Sequence, residues 1–538
     1  MRRTIVAWMI ILTSITACQG GPATEVAEPA EIDGGDAAGD ATALTRPATP
    51  TPAPTVPGSI LSLLPKQKTA TPTQLLPTPI PSTPIPTSSA TPVPSPTSII
   101  PAMPIPTPPS PLIEFYQVQP GDTLGGISYA YDISIAELVA LNDLESEAAI
   151  IQVGQTLHVP LRVSRSGPLL ILLPDSEVVF SPAYVDYDLA AFLAEQGGYL
   201  AHYSERVNGQ ALSGAEIINR VARQYSLGPR LLLALLEFYG GWVTQPQPEA
   251  VHPLGPANPH GQNLFLQLSW TANRLNEGYY GYKQSGSIAI RFRDRSRALL
   301  PPGMNAGTAA LQNLLAAHTD WDTWLVQLQP DGFMQTYIAL FGDPFALAVE
   351  PLVPQGLTQP TLALPWETGQ TFYLSGGPHP AYGEGSGWAA VDFGPPDVLG
   401  SCYYSAQPLT AAAAGRVILG RPGEMYLDLD GDGRLQTGWV LLYLHAVAVE
   451  GLTNGQPVSA GTPLGYASCE GGPSNASHLH FARRYNGEWL AAAGPVPLEL
   501  SGWRVEAGLG PYEGDMVREG EVKTACECWD EKNALLGE

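Results

Sequence analysis

The chain has 538 residues and a formal net charge of −24, enough length for several domains. Its acidity argues against nucleic acid or anionic lipid as the main partner. Only 14% of its residues are charged, and its 54 prolines and 56 glycines point to loop-rich β structure plus a disordered stretch.

Arg2 and Arg3 precede an apolar stretch, residues 4–17, that is too short to span a bilayer comfortably and reads as a signal h-region. It ends Ile15-Thr16-Ala17-Cys18, which resembles a bacterial lipoprotein box. The resemblance implies a signal peptide over residues 1–18, lipidation of Cys18, and an extracytoplasmic protein anchored to the cell membrane through its lipid. Residues 19–112 are first polar and then dominated by Pro, Thr and Ser. Proline lacks a backbone donor and little here can form a core, so the stretch is expected to be a disordered tether biased to polyproline II. At ~3.1 Å per residue its upper reach is on the order of 200 Å.

Composition changes at Ile113. A strand near Tyr116 leads to a Pro120-Gly121-Asp122 turn, two short helices follow, and residues 151–159 return to strand. This βααβ order, with its Pro-Gly-Asp-Thr-Leu turn and Val-Gly-Gln-Thr-Leu close, resembles a LysM domain over residues 113–162. That family binds N-acetylglucosamine-containing glycans, so the resemblance implies contacts to peptidoglycan strands from Gly121, Asp122, Thr123, Leu124, Ile150 and Ile151. In the alternative reading these residues shape only the turn and the core.

Residues 168–355 read as a mostly helical domain. Ser213 and Glu216 form a capping-box pattern, and Pro229 opens a helix that is apolar all round, hence buried. Further apolar stripes run through Leu264, Leu268, Ala272 and Leu275, through Leu311, Leu314 and Leu315, and over residues 333–341. The segment ending Glu237-Phe-Tyr-Gly-Gly-Trp242 faintly resembles the catalytic helix of lytic transglycosylases. If Gly241-Trp242 matches the family's Gly-Phe, Tyr239 stands at the acid position and Glu237 is displaced. The domain is therefore expected to be a spacer or a decayed glycan-binding fold.

From residue 361 to 525 the pattern is short, turn-rich and β-like. Five of the nine histidines, His158, His202, His252, His260 and His318, stand alone. The other four fall in three pieces: Gly-Gly-Pro-His379 leading to Ala-Val-Asp392-Phe, Tyr-Leu-His445, and His478-Leu-His480. His-x-His on a strand puts both imidazoles on one face, and an Asp in an apolar strand is costly to bury without a metal or a partner. A catalytic zinc takes three protein ligands and leaves one position open. The set resembles the M23 zinc endopeptidases, and within them the β-lytic branch, where a Gly-Pro-His lead is separated by a long loop from Asp-Phe. Trp388 stands where most relatives place a histidine four positions before the Asp, which leaves that ligand to His379. The resemblance implies an all-β antiparallel-sheet domain holding Zn2+ on His379, Asp392 and His480, with His478 as general base or acid and His445 stabilising the oxyanion.

Four cysteines remain after Cys18, and an exported protein invites disulfides. Cys402 with Cys469 is the favoured pair, while Cys526 and Cys528 either bridge locally or bind elsewhere. Asp428-Leu-Asp430-Gly-Asp432-Gly433 matches the first half of a calcium loop, but its twelfth position is Trp439, not Glu. The reading is a modular cell-surface enzyme that hydrolyses peptide links of peptidoglycan, in stem peptides or cross-bridges. The alternatives are an inactive peptidoglycan-binding or regulatory lipoprotein, and a glycosidase centred on Glu237.

Overall fold

The structure is a computed structural model that describes residues 112–538, except 120, 162, 164, 250, 251, 262 and 399. Cys18, the signal segment and the tether up to residue 111 lie outside the described residues.

The first unit pairs β1 (Leu112–Gln117) antiparallel with β2 (Thr156–Leu161), with α1 (Leu124–Tyr131) and α2 (Ile135–Leu141) between them. Thr123 caps α1 and Ser134 caps α2, each accepting a backbone N–H of the first turn. Its core is its own: Val118, Leu124, Ile127, Leu138, Leu157 and Val159 are all buried. Gly121 sits at φ 92°, where a side chain would be strained.

The helical unit is built around α3 (Gly214–Tyr225), α4 (Pro229–Gly240), α5 (Leu264–Ser285), α6 (Ala306–His318) and α7 (Phe333–Phe341). The Ser213–Glu216 capping box is formed in both directions. Proline opens α4 and Gly241, at φ 66°, closes it. Residues 231–236 of α4 are fully buried, which is why no polar face interrupts their sequence. One buried charge sits among these helices. Glu177 is enclosed by Arg230, Tyr184 and Tyr337, which satisfy its carboxylate. Two hairpins, Ser204–Val207 with Gln210–Ser213 and Ile288–Arg291 with Arg297–Leu300, interrupt the helices.

Among the described residues the third unit contains a nine-stranded antiparallel sheet. Its main strands are β3 (Thr371–His379), β4 (Ala390–Gly394), β5 (Gly415–Leu419), β6 (Glu424–Asp428), β7 (Trp439–Leu444) and β8 (Leu479–Tyr485). In space they run β5-β6-β7-β8-β4-β3, with Pro457–Val458 beyond β5 and Ala534–Leu536 beyond β3. The sheet thus takes in residues past 525, the end expected from sequence.

Side chains alternate between the two faces of these strands. Val391, Phe393, Leu441, Tyr443, Leu479 and Phe481 point into one core, shared with Trp366 and Leu409. Their neighbours Ala390, Val440, Leu442 and Ala482 point the other way, into a core that contains Leu231, Leu268 and Tyr279 of the helices. The helical unit is therefore not a spacer: it covers one face of the sheet. Asp392 and His480 alternate onto that same face.

Candidate metal centre

Asp392 lies in the middle of β4, and its backbone register places it opposite His480 on β8 and Gly376 on β3. The β3–β4 pairing is bulged on both sides of Gly376. Bulges re-aim side chains, and here they bring His379 at the end of β3 over Asp392. His478 lies just before β8 and His445 just past β7, at φ 59°.

Each of the four imidazoles is fixed by a backbone carbonyl. His379 Nδ1 is 2.8 Å from Gly377 O, and His480 Nε2 is 2.9 Å from Ala381 O. His478 Nδ1 is 2.8 Å from Ala476 O, and His445 Nδ1 is 2.7 Å from Glu470 O. A carbonyl only accepts, so the nitrogen facing it carries the proton and the other presents a lone pair. The free nitrogens of His379 and His480 lie 2.9 Å apart. They stand 3.3 and 3.2 Å from Asp392 Oδ1, a buried oxygen that accepts no hydrogen bond.

Three lone-pair-bearing atoms so close together repel unless a cation sits between them. Donors bound tetrahedrally at ~2.0–2.1 Å lie ~3.3 Å from one another; the two imidazole–carboxylate separations match that spacing, and the imidazole–imidazole one is shorter. Two neutral imidazoles and a carboxylate suit zinc. Hydrogen bonds that fix the outer nitrogen of a ligating histidine are the usual support of such sites. The residues present fit a zinc ion.

His478 Nε2 stands back at 3.6 Å from Asp392 Oδ1, and the His445 ring lies 4.6 Å from that of His478. Burial, with His478 and His480 beside it, pushes the His445 imidazole down to about 3. Burial raises the Asp392 carboxyl, but His379 and His478 overcome this and hold it well below the usual carboxylate range. Tyr512, which nothing in its sequence context singled out, stacks on His379 with ring centroids 4.2 Å apart.

The remaining expected residues fall out unevenly. Cys402 and Cys469 are bonded, as are Cys526 and Cys528. Asp428, Asp430 and Asp432 come within 4.8 Å of one another. However, Asp428 already accepts from the amides of Gly431 and Gly433, and Asp432 from Arg434 N and Thr437. In the βααβ unit Leu124 is core and Asp122 accepts from Tyr116 and Gln119. Thr123 is a cap, Ile151 is half-buried and Ile150 is 91% exposed. Of the six expected contacts, Gly121, Thr123 and Ile150 are exposed. The Glu237 carboxylate is taken by the amides of Val243 and Thr244 and the Thr244 hydroxyl. It closes the end of α4 and is not free for acid catalysis.

Comparison with known proteins agrees with this architecture. The LysM domain model matches residues 116–160, and a model described as the LasA N-terminal domain matches residues 171–353. Protease LasA of Pseudomonas aeruginosa, from strains UCBPP-PA14 and PAO1, is 28% identical over 354 residues, 62% of this chain and 77% of LasA. The solved M23 metalloprotease pseudoalterin, from the deep sea, is 25% identical with a TM-score of 0.28, covering 33% of this chain and 99% of its own. The catalytic domain of lysostaphin from Staphylococcus simulans is 22% identical with a TM-score of 0.17, covering 24% of this chain and 89% of its own. With a LysM match, a LasA N-terminal match through the helices and a similarity to LasA longer than that domain, the chain is similar to peptidases of the LasA kind and carries a LysM domain ahead of that similarity.

Proposed function

We propose that the protein is a zinc endopeptidase that hydrolyses peptide bonds of peptidoglycan, in stem peptides or cross-bridges, while its LysM domain holds the glycan. The observation that carries this reading is the convergence of His379 Nε2, His480 Nδ1 and Asp392 Oδ1, all unprotonated, at zinc-ligand spacing. The ion, when bound there, supplies Lewis acidity that polarises the scissile carbonyl and activates a water molecule.

The chain's other histidines handle the proton. His478 Nε2 faces the ligand cluster with its lone pair free, placed to take a proton from the attacking water and pass it to the leaving amine. Its Nδ1–H stays on Ala476 O throughout, which fixes the ring. His445 faces the same space. With Nδ1–H committed to Glu470 O, its Nε2 presents a lone pair, so in this tautomer it would accept from the attacking water, and donating to an oxyanion would require the other neutral tautomer. Calcium has no part in this reading: the twelfth position of the loop is Trp439, and Asp428 and Asp432 already accept hydrogen bonds within it.

The LysM and LasA similarities point to an extracytoplasmic, wall-associated protein, and we include in the proposal a lipid anchor at Cys18. Tethering near the glycan raises the local concentration of wall peptide at the metal centre.

The test uses the purified full chain, metal analysis and suspensions of cell wall. One zinc per chain, clearance that releases new amino groups, and loss of clearance in His478→Ala or under a chelator are expected. Clearance that survives both changes refutes the mechanism. New reducing ends in place of amino groups would mark glycan cleavage. Zinc bound without any clearance would mark an inactive binding protein.

A further inference from the structure

The backbone of His445 is held away from its ordinary range. Its φ of 59° lies in the left-handed region that non-glycine residues rarely adopt, and such positions persist only where the surroundings fix them. Strand register supplies the fixing group. Ala446–Ala448 runs antiparallel to Pro463–Ala467 with Ala446 opposite Ala467, which brings Ser468 beside His445. Ser468 is fully buried. Its amide donates to the His445 carbonyl at 2.7 Å, and its hydroxyl donates to the same oxygen at 3.0 Å.

The side chain is held by the same segment. The Ser468 hydroxyl oxygen accepts from Glu470 N at 3.1 Å, and the Glu470 carbonyl accepts from His445 Nδ1–H at 2.7 Å. Backbone and ring of His445 therefore close onto residues 468–470 through Ser468. Further braces fix that segment. A Cβ on Gly423 would overlap the Glu470 carbonyl, so this glycine, at φ 80°, lets the turn between β5 and β6 rest against it. Arg421 of the same turn donates to the Gly471 carbonyl. Between Ser468 and Glu470, Cys469 is bonded to Cys402. Residues flanking Cys402 in turn hold Ser477, whose amide donates to Ser401 O at 2.7 Å and whose hydroxyl donates to Tyr403 O at 2.6 Å. Ser477 directly precedes His478, so the disulfide joins the supports of both imidazoles that stand outside the ligand cluster.

We propose that residues 468–470 are the positioning element of His445, with Ser468 as its positioning residue, and that they keep the imidazole in the Nδ1–H form whose Nε2 accepts a proton. This deepens the peptidase reaction given above and rests on it. His478 Nε2 also presents a lone pair, and its ring lies 4.6 Å from that of His445. Two acceptors side by side match the two O–H donors of one attacking water. An imidazole free to turn, or to carry its proton on Nε2, offers that water a donor in place of an acceptor and loses the match. Acid–base assistance contributes about 10²–10⁴-fold, and losing the orientation of one of the two imidazoles is expected to lower turnover by about 10–100-fold.

The experiment records long-range proton–nitrogen NMR spectra of the full chain, labelled with heavy nitrogen in its histidine rings, with and without zinc. The two nitrogens of a neutral imidazole differ in shift according to which carries the proton, and His445→Gln assigns the His445 signals. Zinc affinity is measured by chelator competition. Release of amino groups from purified cell wall gives a maximal rate and a half-saturating wall concentration. Wild type is expected to show His445 in the Nδ1–H form in both states. Ser468→Ala is expected to lose that single form and to lower the maximal rate, while zinc affinity and half-saturation stay at the wild-type level. Ser468→Thr, which keeps the hydroxyl, is expected to recover both the form and the rate. Cys402→Ser with Cys469→Ser releases the segment from its other side and is expected to lose the same single form. A Ser468→Ala chain that keeps the Nδ1–H form, at whatever rate, overturns the positioning role. So does a Ser468→Thr chain no better than Ser468→Ala, and so does a loss of zinc in Ser468→Ala as large as its loss of rate. A wild-type chain that binds no zinc or releases no amino groups refutes the peptidase reading instead, and the spectra of the zinc-free chain still decide whether Ser468 positions His445.

Discussion

Trp489→Ala tests whether the helices and the peptidase sheet are one cooperative structure. Trp489 is 2% exposed and belongs to the core shared by the helical unit and the sheet. Its backbone amide donates to the Tyr280 hydroxyl of α5 at 3.0 Å, and its ring lies 5.1 Å from the Arg484 guanidinium of β8. A buried tryptophan removes ~150–250 Å² from water, worth about 4–6 kcal/mol at ~25 cal/mol per Å². Ordering the side chain offsets part of that, and large aromatic-to-alanine changes in cores cost about 3–5 kcal/mol. Native-state hydrogen exchange is the assay, because it reports opening element by element. Amides in α5, β7 and β8 should lose the same ~3–5 kcal/mol of protection together. The LysM unit, with its separate core, should keep its own. If the strands lose protection while α5 keeps it, the two units open independently and the shared-core argument is wrong.

Chelation should lower the melting temperature of the full chain, and restoring zinc should recover it. At a free ion concentration 1,000 times the dissociation constant the difference is about 4 kcal/mol, and equal melting with and without zinc would rule the ion out as a ligand of the folded state. Asp392→Asn keeps the shape of the third ligand and removes its charge, so zinc affinity should fall by more than about 100-fold, read by chelator competition. Cys402→Ser with Cys469→Ser opens a bridge between residues 67 apart in sequence. Loop entropy sets the expected loss at about 4 kcal/mol, measurable by denaturant titration without reductant. Burial, with Arg293 nearby, pushes the His318 imidazole down to about 4, below the ~6.5 of an unfolded chain. The unfolded state then binds the proton first as pH falls. Stability from this group is intact above pH ~6.5 and declines toward pH ~4 by about 3 kcal/mol. The metal-free His318→Gln variant should show a correspondingly flatter pH dependence, and identical slopes would refute this account.

Local signals in the sequence were enough for the helices and their ends. The Ser213–Glu216 box, Pro229 and the apolar run after it each work through bonds or burial within a few residues, so their reading does not depend on the rest of the fold. The LysM turn was legible for the same reason, although Leu124, expected as a possible glycan contact, is core. What could not be read was the partner of each apolar face. Leu442 and Ala482 are as apolar as Leu441 and Phe481, and nothing in the strand says that one set meets helices and the other the core around Trp366 and Leu409. The 380–388 loop is similar: nothing in its sequence says that Gly385 is required for the close approach of Asn273.

The metal site shows most clearly where the pattern stops. His-x-His places His478 and His480 on one face, and up to that point the two are equivalent. Register separates them. His480 is paired directly with Asp392 across β8 and β4, and its Nε2 is held by Ala381 O, so Nδ1 points into the cluster. His478 lies before the strand begins, its Nδ1 is held by Ala476 O, and Nε2 stops 3.6 Å from the same carboxylate oxygen. In the proposed mechanism, opposite tautomers divide the pair into a ligand and a proton carrier. That division predicts different losses: His480→Ala should lose zinc, whereas His478→Ala should keep it and lose turnover. Equal zinc loss in both variants would mean that the two imidazoles share one role.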